Sequence, residues 1–155
     1  MRRLLTIPVL LALAVPAFAQ TPTRDDAKHL VKDAVAFLKK NGKEKFCQEV
    51  TGPKGQFHFT AGTKKGLYIF VYDEKGVVVA HGVRAELVGK NRWTSKDPDG
   101  KPWIQDWTKL VQTAKDHSGW IEYKELNPAA NNAIQNKASF VELVDGYVVG
   151  CGIYF

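Results

Sequence analysis

Cysteine is scarce: the 155 residues hold two, Cys47 and Cys151. That is too few for a disulfide-stapled small scaffold or a four-cysteine zinc site. Long apolar runs are missing after the first twenty residues, and the mean hydropathy of −0.25 excludes a polytopic membrane protein. Enzyme signatures are missing too: there is no nucleophile elbow with a Ser/His/Asp order, no HExxH and no GxxxxGKS/T phosphate loop. The four histidines, His29, His58, His81 and His117, have no metal-ligand spacing. The Asp97-Pro98-Asp99-Gly100 turn lacks the later glutamate of a calcium loop. Neither cysteine has a neighbouring redox partner. The expectation is a non-enzyme with no catalytic residues, no metal and no cofactor.

What is present is the composition of one globular domain, 45% hydrophobic and 25% charged. A chain this apolar buries enough surface to offset its ordering entropy, which excludes disorder. At the N-terminus, Arg2-Arg3 is followed by an apolar stretch from Leu4 to Val15 and by Ala17-Phe18-Ala19, the small-x-small pattern of a cleavage site. Residues 1–19 are therefore expected to be a cleavable signal peptide, and 20–155 one exported domain, bacterial in style and periplasmic. The stretch is short for a membrane span, and Pro8 and Pro16 interrupt it. Cleavage takes away Arg2 and Arg3 and leaves 20 basic against 16 acidic side chains. That balance, with lysines scattered along the chain, reads as a solvated surface and not as a nucleic-acid partner. The periplasm permits disulfides, so Cys47 and Cys151 are a candidate pair whose bridge would add about 4–5 kcal/mol on the chain-entropy model. The alternative is that each is a small buried hydrophobe.

The mature chain starts with a helix. Thr23 is its expected N-cap, Asp25 and Asp26 occupy the first turn, and Ala27, Leu30, Val31, Ala34, Val35 and Leu38 recur at helical spacing up to Asn41-Gly42. Lys43 to Val50 reads as further turns, stopped by Gly52-Pro53-Lys54-Gly55. The period then becomes two. Gln56 to Thr60 is a short strand candidate, Leu67 to Asp73 a strong strand, Asp73 to Gly76 a hairpin turn and Val77 to His81 the returning strand. Trp103 to Ala114 reads as a helix. Trp120 to Glu125, Lys137 to Leu143 and Tyr147 to Phe155 read as strands, with a polar loop from Asn127 to Asn136. The fold class is α+β: an antiparallel sheet of about five strands, a long N-terminal helix on one face, and the excursion 82–118 covering the other. A small ligand would bind between that excursion and the sheet. Tyr68 and Phe70 share one side of their strand, Tyr123 brings a hydroxyl on another, and Trp103 and Trp120 either wall the pocket or fill the gap beneath the excursion.

The ordered landmarks AFLKKNG, YIFVYDEKGVVVAH, LVGKN, KDPDGKPWI, SGWIEY, NP and NKASFVELVDGYVVGCGIY resemble the single Cache domain, the extracytoplasmic sensor module of chemoreceptors and histidine kinases. The resemblance spans Ala27 to Tyr154. It implies a PAS-like sheet behind the long helix, a pocket for a small organic anion such as a short carboxylate, and pairing into a homodimer through that helix. It also places a pocket histidine at His81 and a pocket lysine at Lys137, with Arg84 and Arg92 as reserve cations. Phe140 stands where relatives often carry tyrosine, which removes a hydroxyl. Single Cache domains usually sit between two membrane spans; here the sequence stops at Phe155, so the expectation is a stand-alone exported sensor that passes its state to a membrane receptor or histidine kinase. A structural or protein-interaction module without a small ligand is the alternative.

Overall fold

The computed structural model describes residues 21–155; the expected leader lies outside the described residues. Helix α1 (Arg24–Asn41) opens with a full capping box in which Thr23 and Asp26 exchange side-chain and backbone hydrogen bonds. The six apolar residues expected on its inner stripe, Ala27, Leu30, Val31, Ala34, Val35 and Leu38, are all buried, each worth roughly 1.5–3 kcal/mol for the larger side chains. Gly42, at φ +79°, ends it and starts α2 (Lys43–Thr51). Strands β1 (Phe70–Asp73) and β2 (Val78–His81) form the hairpin across Gly76 at φ +80°. Helix α3 (Trp103–Thr113) lies in the excursion, followed by β3 (Ser118–Asn127), β4 (Ala133–Val144) and β5 (Tyr147–Tyr154). The sheet order is β2-β1-β5-β4-β3, antiparallel throughout.

Strand alternation gives the sheet two cores. On the helix side, Ile69, Val71, Val149, Cys151, Phe140 and Val144 pack with α1 and α2. On the other, Phe70, Tyr72, Val141 and Val148 pack under Trp103, Ile104, Trp107 and Val111 of α3. The expected α+β sandwich of helix, sheet and excursion is therefore the observed one. The excursion face holds the polar residues that matter below.

Three segments differ from their sequence reading. Gln56–Thr60 makes only one bridge, His58 to Tyr68. Its backbone is held by isolated bonds such as Phe59 N–H to Leu67 O and Gly66 N–H to Phe59 O around left-handed Gly62 and Gly66, so no ladder propagates. The expected 127–136 loop shrinks to a 3-10 turn, Pro128–Ala130, with Asn131 and Asn132 at positive φ. The ladder runs on through polar pairs such as Asn127 Nδ2 to Gln135 Oε1 at 2.6 Å, which apolar periodicity cannot reveal. Cys47 and Cys151 are both free thiols, so the candidate bridge is not formed. Cys47 shares a surface cleft with Tyr147. Cys151 lies four residues further along β5, buried beneath the helix layer.

Candidate functional site

The site grows from one strand register. Lys137 on β4 stands opposite Tyr123 of β3 and Tyr154 of β5, so three side chains of the excursion face fall in a row. Two glycines of β5 make the room. A Cβ on Gly152 would lie 3.1 Å from Lys137 Cε and 2.3 Å from Ser139 Oγ, and one on Gly150 would lie 2.3 Å from the Phe70 ring. Lys137 consequently folds down over the sheet and is 2% exposed. Its ammonium sits over four rings: Tyr68 at 4.7 Å, Tyr154 at 4.9 Å, Phe70 at 5.3 Å and Tyr123 at 5.9 Å.

Its only protein hydrogen bond among the described residues runs from Nζ to the Tyr68 hydroxyl at 2.7 Å. Tyr154 donates to the Leu126 carbonyl at 2.9 Å. The 3.1 Å contact between the two tyrosine hydroxyls is thus donated by Tyr68, giving a directed chain from Lys137 to Tyr68, Tyr154 and Leu126. No carboxylate is within ion-pair distance of Lys137 among the described residues. Glu125, on the same face of β3, is engaged by Arg84 at 3.6 Å.

His81 closes the site from β2, with its ring 5.2 Å from Tyr68 and 6.5 Å from Phe70. Nδ1 accepts the backbone N–H groups of Val83 and Arg84 at 3.3 and 3.1 Å, which assigns the proton to Nε2. Burial, then the charges of Lys137, Arg84 and Arg92, lower its pKa to about 3; this is a neutral donor and not a second cation. Burial likewise pushes the Tyr68, Tyr123 and Tyr154 hydroxyls well above the usual tyrosine range, so they stay protonated.

The excursion supplies the roof. Trp103 stacks on Tyr123 at 5.5 Å and 7°, and Arg92 lies over the Trp103 ring at 5.3 Å. Trp107 stacks on Phe70 at 5.2 Å and meets Tyr123 edge-on at 6.0 Å, so it borders the same two rings as Lys137. Its Nε1 is buried without a hydrogen-bond partner. Tyr123 and Ser139 hydroxyls share one bond at 3.1 Å, which leaves one of their two protons without an acceptor. The free groups of the site are therefore donors: two N–H of Lys137, Nε1 of Trp107, Nε2 of His81 and one hydroxyl. This set of donors and rings around an unneutralised cation is chemically complementary to a small acceptor-rich anion.

Of the residues expected from sequence, Tyr68, Phe70, His81, Trp103, Tyr123 and Lys137 converge here. Trp120 does not. It pairs directly with Phe140 on the helix face, 5.5 Å ring to ring, beneath Arg24. Trp120 and Tyr123 are three residues apart on one strand, so they point to opposite faces, and that parity was available in the sequence. Phe140 shares the helix face and touches Lys28 and Lys32, so the tyrosine it replaces takes nothing from this site. Sequence reasoning missed Trp107, Ser139 and Tyr154. Ser139 and Tyr154 were findable by counting in twos from Lys137 and from Phe70's partner strand; the free Trp107 Nε1 had no signal outside three dimensions.

The single Cache domain 2 family model matches residues 17–155. Among solved structures, a methyl-accepting chemotaxis protein from Vibrio parahaemolyticus aligns with TM-score 0.70 and 21% identity over 84% of this chain and 87% of that one. A Cache chemosensory domain described by its carboxylic acid recognition aligns with TM-score 0.69 and 23% identity over 84% and 91%. A periplasmic sensor domain of a chemotaxis protein aligns with TM-score 0.60 and 23% identity over 84% and 88%. These three are likenesses of fold. No helix among the described residues is long and apolar enough to cross a membrane. With a family match over most of its length, the chain belongs to the single Cache domain 2 family, whose members are ligand-binding sensor modules and not enzymes.

Proposed function

We propose that this protein is a periplasmic binding module, exported by its first nineteen residues, that captures a short organic carboxylate between sheet and excursion and presents the bound state to a separate membrane receptor or histidine kinase. The observation that carries the reading is Lys137: a buried ammonium with no carboxylate in reach, ringed by free donors. It is 2% exposed, and an isolated buried charge is costly. A carboxylate supplies both the missing charge and the missing acceptors. The structural neighbour described by its carboxylic acid recognition supports the same chemistry here.

The mechanism is differential binding. The sheet contributes Lys137, Tyr123 and the Tyr68–Tyr154 chain; the excursion contributes Trp103, Trp107 and Arg92. An anion that touches both walls favours the conformation in which they are closed. Arg84 links the excursion to β3 through Glu125 and through the Leu126 carbonyl at 3.4 Å, the same carbonyl that receives Tyr154, so occupancy at Lys137 is coupled by hydrogen bonds to that clasp. A partner would read the position of the clasp.

The test is a thermal-shift and calorimetric screen of acetate, propionate, glycolate, lactate and pyruvate. A ligand at one hundred times its Kd raises stability by about 2.7 kcal/mol. No shift with any of them would favour the alternative of an interaction module without a small ligand.

A further inference from the structure

The lysines that look scattered along the sequence are sorted by the fold. Residues 21–66 hold ten lysines and arginines against five acids, whereas residues 67–155 hold ten against eleven. The first segment is α1, α2 and the 52–66 loop, which together form the layer on the helix face of the sheet. Of its five acids, Asp26 is held by the Thr23 cap and Glu49 by the Gln56 backbone, while Asp25, Asp33 and Glu44 are exposed. Of its cations, Arg24 and Lys32 pair with Glu122 and Glu142, while exposed Lys28, Lys39, Lys40, Lys45, Lys54 and Lys65 have no ion-pair partner among the described residues. Lys28, Lys32 and Lys39 fall on one stripe of α1 at spacings of four and seven, along a helix about 27 Å long.

We infer that this layer is a docking surface for an anionic phospholipid bilayer. Charge complementarity argues for an anionic occupant. The surface chemistry argues for a bilayer and against a folded protein, whose interface would need a central apolar or aromatic anchor. The exposed large hydrophobic side chains, Val83, Val88, Leu126, Ile134 and Phe155, all lie outside residues 21–66. A broad, cation-bearing face without an anchor matches the diffuse negative potential of lipid headgroups, to which each nearby lysine adds attraction that decays within a Debye length. The orientation leaves the carboxylate site free, because Lys137 and the excursion are on the opposite face of the sheet. The inference does not depend on the carboxylate reading.

The test is co-sedimentation of the mature protein with large unilamellar vesicles, either pure phosphatidylcholine or 7:3 phosphatidylcholine to phosphatidylglycerol, across a salt series. Binding to the anionic vesicles alone, lost by 0.5 M salt, is expected. The Lys39→Glu/Lys40→Glu/Lys45→Glu variant should partition at least tenfold more weakly with an unchanged Tm. Equal binding by the variant, binding to neutral vesicles, or no binding by the wild type would overturn the inference. So would full release by an equal charge of polyglutamate, because that would make an acidic polypeptide the better occupant.

Discussion

Replacing Lys137 with methionine separates a binding lysine from a structural one, because the two roles predict opposite signs. Methionine keeps the stem length and removes the charge. Burying an unpaired ammonium costs several kcal/mol. Against that, the bond to Tyr68 contributes roughly 1.5–3 kcal/mol as a charged hydrogen bond, and the ring contacts contribute roughly 0.5–2 kcal/mol. Tyr68 still donates to Tyr154 after the change, so no buried donor is orphaned. The balance leaves the ligand-free variant more stable than the wild type by about 1–2 kcal/mol, a rise in Tm of about 3–8 °C. The same variant should lose at least about 2 kcal/mol of carboxylate affinity and show no thermal shift with acetate or propionate. Differential scanning calorimetry with and without ligand reads both effects. A fall in Tm together with an unchanged ligand shift would refute the reasoning, because Lys137 would then be a packing residue outside the site.

Stability should fall with acidity through His81. Its pKa is near 6.5 when unfolded and about 3 when folded, so the unfolded chain binds more protons between those values and stability rises with pH across that window; going down from pH 6.5 to 5 it should lose about 2 kcal/mol, and His81→Asn should flatten the curve measured by urea unfolding. Carboxylate affinity should not follow His81 between pH 5 and 8, where the folded ring stays neutral, and a titration step near 6.5 in calorimetry would contradict this. Gly152→Ala should destabilise by about 2 kcal/mol or more, since the new Cβ would meet the Ala138 carbonyl at 2.7 Å as well as Ser139; denaturant midpoints measure it, and a neutral effect would mean that β5 shifts to make space. Of the two thiols, Cys47 is half-buried and Cys151 fully buried with its pKa pushed up to about 12. A thiol reagent should therefore label one cysteine in the native protein and two after unfolding, and a single mass two units lower with no labelling would show a bridge.

Much of the fold was legible because it follows from one-dimensional rules. The capped amphipathic α1, the Asp73–Gly76 hairpin and the alternating β4–β5 run each carry a local period and a local stop. The first segment that misled, 56–60, is held by scattered backbone bonds to residues seven to twelve positions away on either side, so it has no period to read. The signal at Lys137 came from the resemblance; composition shows only one more lysine.

The sequence by itself determined which side of each strand a residue occupies, since the side chain alternates with every residue whatever the surroundings. Tyr68, Phe70, Tyr123 and Lys137 each stood on a definite face in that sense. The tertiary structure decided which faces meet. Register set Lys137 between Tyr123 and Tyr154, sheet order separated Trp120 from the site, and the packing of α3 brought an unpartnered Trp107 Nε1 to the rings that surround the ammonium. Partnership between distant residues depends on how layers stack, and no local period encodes it.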